Sequence, residues 1–172
     1  KHRGPDSNYI YVNNKIAMGH YRLYIIDLIG GKQPRIDQEK HDYLLYNGEI
    51  YGYKNHAKIL RNHGISLKDN SDTEVLFQSL KHFGVEKTLK SIDGMFSFVF
   101  YESQSDSLWL ARDPMGEKPL YYSIKDKHTF FSSELSSLAT CSNLISYNID
   151  ENALISYLNL DYIPKDKTIL SG

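Results

Sequence analysis

The sequence predicts an α+β domain, with strands first, two helices next and further strands after them. Three observations lead there. Tyrosine dominates the aromatic residues, 14 Tyr against 7 Phe and 1 Trp, and tyrosine favours strands. Short alternations of apolar and polar residues, the mark of half-buried strands, occur before and after the middle of the chain. The two stretches with helical spacing are neighbours, between Tyr53 and Gly84, whereas a parallel sheet needs strands and helices in strict alternation.

Taken in order, "KIAMGHYRLYIID" (Lys15 to Asp27) and "HDYLLYNG" (from His41) alternate as strands do. "YNGEIYGY" (Tyr46 to Tyr53) then places Asn47 and Gly48 between strand-forming runs. An Asn-Gly pair in that setting predicts a tight bend, because both central residues of a hairpin turn need positive φ. An amide side chain beside a glycine N–H is also a way to build an oxyanion pocket. The period changes next: Tyr53, Ala57, Leu60 and, less regularly, Ile59 suit one helical face, with Gly64 as its stop. Ser71 to Glu74, "SDTE", has the spacing of a capping box before Val75, Leu76, Leu80 and Phe83, and Gly84 ends that helix. "DGMFSFVFYES" and "SLWLARD" read as a hairpin of buried strands, and "KPLYYSI" with "TFFSSE" as a second hairpin turning at "KDKH". Asp150 is placed to cap a short helix, "ENALISYLNL", and the residues around Pro164 read as a linker. A boundary is expected between Cys141 and Asp150.

Composition narrows the function. A net charge of −1 gives no pull toward nucleic acid or an anionic membrane. No apolar stretch approaches a transmembrane length, and "KHRGPDSNY" lacks the apolar core of a signal peptide, so a cytoplasmic chain is expected. A single cysteine, Cys141, excludes an internal disulfide framework, and it lacks a helix start or basic neighbour to activate its thiol. The first residue is Lys1, which predicts a fragment or a processed chain. The histidines, His2, His20, His41, His56, His63, His82 and His128, are scattered without the spacing of a zinc site, so no metal is expected. "IGGKQP" lacks the spacing of a phosphate loop. Spacing alone leaves a soluble α+β domain of unknown activity.

Several strings taken together go further. "HRGPD", "GHYRLYIIDL", "QP", "YNGEIYGY", "SDTEV", "DGMFSFVFY", "LARDPMGEKPLYY" and "FSSEL" occur in an order and spacing that closely resemble the class II glutamine amidotransferase domain of asparagine synthetases. The resemblance runs over nearly the whole chain. It implies an N-terminal nucleophile hydrolase fold, a four-layer αββα sandwich of two antiparallel sheets between helices. The domain would occupy residues 1–145, and 146–172 would be a linker and the start of a C-terminal synthetase domain. The implied reaction hydrolyses the side-chain amide of L-glutamine to glutamate and ammonia, for ATP-dependent amidation of aspartate.

The resemblance also assigns roles. Arg22 matches the arginine that binds the glutamine α-carboxylate, a task suited to a planar, always-charged fork. Asn47, by its side-chain amide, and Gly48, by its backbone N–H, match the oxyanion hole. Glu49 matches a residue near the substrate ammonium, and Asp72 the carboxylate that pairs with it. An acidic residue in a first helical turn is favoured by the helix dipole in any case. Arg3 matches a residue at the nucleophile's end of the site, and Ile25 and Ile26 are carried with it as further site residues. The family's nucleophile is a cysteine at the very N-terminus, whose α-amino group helps as base. This chain starts at Lys1 inside the following motif, so the nucleophile and first strand are expected to be missing, and the 172 residues alone are expected not to hydrolyse glutamine. No cofactor is expected in this domain. ATP and Mg would belong to the synthetase domain, and a homodimer is allowed. Two other readings stand beside this one: an amidotransferase of the same family acting on another acceptor, such as a polysaccharide sugar acid, and a glutaminase-like module without activity.

Overall fold

The computed structural model describes residues 4, 6–22, 31–140, 148–164 and 167–171. Their contacts divide the chain into two units, Lys1–Glu117 and Lys118–Gly172. The architecture is α+β, and every strand pairing among the described residues is antiparallel.

In the first unit, β1 (Ser7–Val12) pairs with β2 (Ala17–Arg22) so that Ser7 faces Arg22. The turn between them is held by Asn13, whose Oδ1 accepts from the N–H groups of Lys15 and Ile16 at 2.8 Å each. β3 (Arg35–Ile36), β4 (Tyr43–Tyr51), β5 (Asp93–Glu102) and β6 (Ser107–Arg112) form one sheet in that order. Three helices accompany it: α1 (Tyr53–Asn62), α2 (Asp72–Phe83) and α3 (Val85–Ser91).

Strand period decides which side chains meet the helices. Leu44, Tyr46 and Ile50 of β4 and Phe96, Phe98 and Phe100 of β5 project to one face, where they pack with Leu76, Phe77 and Leu80 of α2. Each fully buried Phe or Leu there contributes about 1.5–3 kcal/mol. The residues between, Leu45, Asn47 and Glu49, lie on the opposite face and are half-buried. At the start of the strand, Tyr43 meets Tyr11, their rings 5.2 Å apart between centroids.

Asn47 and Gly48 do not form a bend. β4 runs straight through them, pairing Asn47 with Ser97 and Gly48 with Phe96. A two-residue hairpin turn would need both in the positive-φ region, and Asn47 is not in it. The chain leaves the strand at the second glycine of the same string: Gly52, φ 63°, is the N-cap of α1. Gly48, φ 153°, meets another demand. A Cβ there would collide with the Met95 carbonyl oxygen and lie 2.6 Å from the Phe96 Cα, so β5 passes too close for any side chain.

The cap of α2 is half of what its sequence predicts. Ser71 Oγ accepts from the Glu74 N–H at 3.1 Å, but Glu74 does not return to the Ser71 N–H, which donates to Asp69 Oδ1 at 2.9 Å. A fully buried carboxylate needs partners. Glu74 finds them in the Lys68 N–H at 3.1 Å, Gln78 Nε2 at 2.9 Å and the guanidinium of Arg35, whose Nε lies 3.4 Å away. Strand β1 and helix α3 were not foreseen from the sequence.

The second unit holds β7 (Tyr121–Lys125) and β8 (His128–Ser132), joined through Asp126 and Lys127, both at positive φ as a tight hairpin turn requires. α4 (Leu135–Ala139) follows, and Cys141 lies outside the described residues. α5 (Glu151–Leu160) is capped as expected, with Asp150 Oδ1 accepting from the Ala153 N–H at 2.9 Å. The residues after it return to the segment before it, since Ile149 bridges Leu170 and the Asp150 N–H donates to the Ile169 carbonyl at 3.0 Å. No helix among the described residues is long and apolar enough to cross a membrane.

Candidate functional site

The site is built on an edge of β4 that its neighbour leaves open. β3 pairs only with Tyr43 and Leu44. Beyond that point, the backbone groups of Tyr46, Gly48 and Ile50 face away from β5 toward the side on which a longer β3 would run. Side chains replace the missing strand. Gln33 takes both groups of Tyr46, its Oε1 accepting from the Tyr46 N–H and its Nε2 donating to the Tyr46 carbonyl, each at 2.6 Å. Asp72 Oδ2 accepts from the Ile50 N–H at 3.2 Å.

Gly48 lies between these two clamps. The direction of its N–H follows from its partner, because Phe96 directs both its backbone groups to Asp113: the Asp113 N–H donates to the Phe96 carbonyl at 2.8 Å and the Phe96 N–H to Asp113 Oδ2 at 3.3 Å. Gly48 and Phe96 are therefore a non-hydrogen-bonded pair, and the Gly48 N–H points to the open edge. It has no hydrogen-bond partner among the described residues. The same holds for the side-chain amide of Asn47.

Asp72 enters from the first turn of α2. It is 6% exposed, and three donors hold it: Tyr46 Oη at 2.7 Å and the Ile50 N–H on Oδ2, and its neighbour's N–H, from Thr73, at 2.8 Å on Oδ1. Burial, and then the charge and hydrogen bond of Asp72, push the Tyr46 phenol far above its usual pKa, so it remains a donor at any working pH. A carboxylate has about four acceptor positions. One remains for a further donor.

Arg22, at the end of β2, reaches the same region. A Cβ on Gly31 would lie 3.0 Å from Arg22 Nη2 and 3.4 Å from the Ser71 Cβ, so the guanidinium and the start of α2 meet across Gly31. His20, two residues earlier on β2, has its pKa lowered by burial and then by the Arg22 charge, the Tyr46 backbone acting in the other direction. The Gly31 N–H is tied to Asp69 Oδ2 at 3.4 Å, and Asp69 is paired with Arg35. Burial alone would raise the Asp69 pKa, but hydrogen bonds from Ser71 and Arg35 bring it down to about 2.

Gly48 and Asp72 thus flank Tyr46, and Arg22 meets the start of α2, the helix that carries Asp72. Asn47 and Glu49 stand on the other face of β4 at the same edge, with Glu49 near enough for its charge to act on the Tyr46 phenol. Arg3, Ile25 and Ile26 lie outside the described residues. Sequence reasoning gave no role to Gln33, Tyr46 or His20, although all three fall inside the quoted strings. The signal that could have found Gln33 is the brevity of β3, which a periodicity reading does not register. Among the described residues no cluster of three or more His, Cys, Asp or Glu could hold a metal ion.

A guanidinium, a buried carboxylate and outward-facing N–H donors form a set suited to an amino acid whose side-chain carbonyl reacts. Comparison with known proteins gives the family. The family described as glutamine amidotransferase domain matches residues 1–172. Asparagine synthetase [glutamine-hydrolyzing] 1 of Bacillus subtilis (strain 168) is 36% identical over 98% of this chain and 26% of its own length. A putative asparagine synthetase [glutamine-hydrolyzing] 2 of Methanocaldococcus jannaschii is 31% identical over 98% of this chain and 36% of its own length. The chain therefore spans the smaller part of these relatives. Among solved structures, a glutamine phosphoribosylpyrophosphate amidotransferase from B. subtilis is similar in fold, with a TM-score of 0.59 at 23% identity over 73% of this chain and 29% of that one. With the whole length matched and the fold shared, the chain belongs to the glutamine amidotransferase domain family.

Proposed function

We propose that this chain is the glutamine-hydrolysing part of an asparagine synthetase, releasing ammonia for the amidation of aspartate by a further domain. The observation that carries this reading is the open edge of β4, where the Gly48 N–H faces outward between the Gln33 and Asp72 clamps. Arg22 would grip the α-carboxylate of glutamine with its fork, and the remaining acceptor position of Asp72 would take the α-ammonium, with Glu49 adding negative charge nearby.

The nucleophile in this reading is a cysteine thiolate from a segment preceding Lys1, its proton taken by the adjacent α-amino group. Attack on the side-chain carbonyl carbon gives a tetrahedral intermediate whose oxyanion is met by the Gly48 N–H and the Asn47 amide. The proton passes to the leaving nitrogen, the C–N bond breaks, and ammonia departs. Water then cleaves the thioester to glutamate and restores the thiol. Cys141 does not enter this scheme, so the 172 residues alone would bind glutamine without turning it over. The ATP and Mg²⁺ of the amidation step belong to the further domain.

Glutamine hydrolysis by the full-length protein tests the assignment. Asn47→Ala should lower kcat by about a hundredfold or more, the usual cost of one oxyanion donor. Arg22→Ala should act mainly on KM, because the carboxylate is bound equally in ground and transition states. Wild-type kinetics in either variant would overturn the reading.

A further inference from the structure

The antiparallel register that pairs Arg35 with Leu44 and Ile36 with Tyr43 would, if continued, place residue 33 opposite Tyr46. Backbone pairing stops at Arg35, before that point. Yet the rung exists: the Gln33 side-chain amide presents one acceptor and one donor to Tyr46 in the geometry of a peptide group, both at 2.6 Å. A primary amide is the side chain that can copy a peptide in this way, since it carries a carbonyl and an N–H together. The rung beyond it, at Gly48, has no partner among the described residues, and the next, at Ile50, is occupied by Asp72.

We propose that Gln33 is a positioning residue for the oxyanion donor at Gly48, a role that rests on the glutaminase reading above. The peptide planes of β4 at this edge are fixed on one side by Gln33 and on the other by Asp72. Gly48 itself, lacking a side chain, makes no hydrogen bond to Phe96, and on the β5 side its amide is held through the preceding Asn47 carbonyl, which faces Ser97. Loss of the Gln33 rung frees the Tyr46 peptide, two residues away, to rotate and carries the Gly48 N–H off its aim. Because the oxyanion exists only in the transition state, the effect falls on kcat and not on glutamine binding.

Two substitutions in the full-length protein test this. Gln33→Glu keeps the shape but sets an acceptor against the Tyr46 carbonyl, and Gln33→Ala removes the rung. Each should lower kcat for glutamine hydrolysis by about tenfold to a hundredfold, as small displacements of a reacting group do, while KM stays within about twofold. Inhibition by the aldehyde analogue of glutamine, which forms a tetrahedral adduct with a thiol nucleophile, should weaken in proportion to kcat, and inhibition by glutamate should not change. An unchanged kcat, a loss carried by KM, or failure of both variants to fold would overturn the proposal, the last because Gln33 would then serve the fold and not the aim. If Asn47→Ala is inactive while both Gln33 variants run at full rate, only this inference falls. If the folded wild type hydrolyses no glutamine, the glutaminase reading falls with it.

Discussion

Gly48→Ala separates two demands that meet at one residue. The added methyl would overlap the Met95 carbonyl oxygen and lie 2.6 Å from the Phe96 Cα, and the φ of 153° is one that a side chain disfavours. Forcing one extra carbon into a packed site costs about 1–3 kcal/mol, and the backbone conformation adds about 1 kcal/mol more. The sum, about 2–4 kcal/mol, concerns the β4–β5 pairing and owes nothing to catalysis. At about 1.4 kcal/mol per decade it corresponds to amide exchange faster by roughly 30- to 700-fold where local opening governs exchange. Hydrogen exchange read by mass spectrometry on peptides covering Tyr43–Tyr51 and Asp93–Glu102 in the full-length protein measures this directly. Asn47→Ala is the control, since its amide has no partner among the described residues and its removal should leave exchange within about twofold. Equal exchange in Gly48→Ala and wild type would refute the steric reasoning.

Tyr46→Phe deletes one of three donors to a buried carboxylate. A hydrogen bond to a charged group is worth about 1.5–3 kcal/mol, so denaturation should show a loss of that size, and KM for glutamine should rise as Asp72 loses its fixed orientation. Asp69→Asn tests the support beneath Arg22. Asp69 has a pKa of about 2, below its ordinary 3.8, so its contribution to stability is complete above pH 3.8 and disappears as the pH falls through 2. The variant should lack that part of the acid-induced loss, and because Gly31 is no longer tied, its KM should rise while kcat holds.

Much of this unit was legible because local rules and tertiary packing agree there. The face of α1, the start of α2 at Ser71 and the hairpin through β5 and β6 all follow from period and capping. The exceptions share a cause. Asn-Gly reads as a turn when only its neighbours in the chain are considered, and only the contact with Met95 and Phe96 on another strand explains why glycine is needed within β4. Glu74 has the spacing of a capping box, yet its carboxylate turns to the Lys68 N–H and the Gln78 amide, with the guanidinium of Arg35, distant in sequence, 3.4 Å away. The candidate site was legible as residue types in strings. Its clamps were not, since Gln33 acts through a rung that exists only once β3 has ended.

The string "ARDPMG" supplied no reacting group, and its role lies in arithmetic. Every amide of a strand faces one of two edges, and which edge is a matter of odd or even count. Asp113, whose backbone and side chain both bind Phe96 and whose Oδ1 also takes the Glu117 N–H at 2.9 Å, stops that count from slipping. A slip of β5 by one residue would reverse the parity of β4 and turn the Gly48 amide inward. A loop two strands away from the substrate thereby decides which way the donor looks.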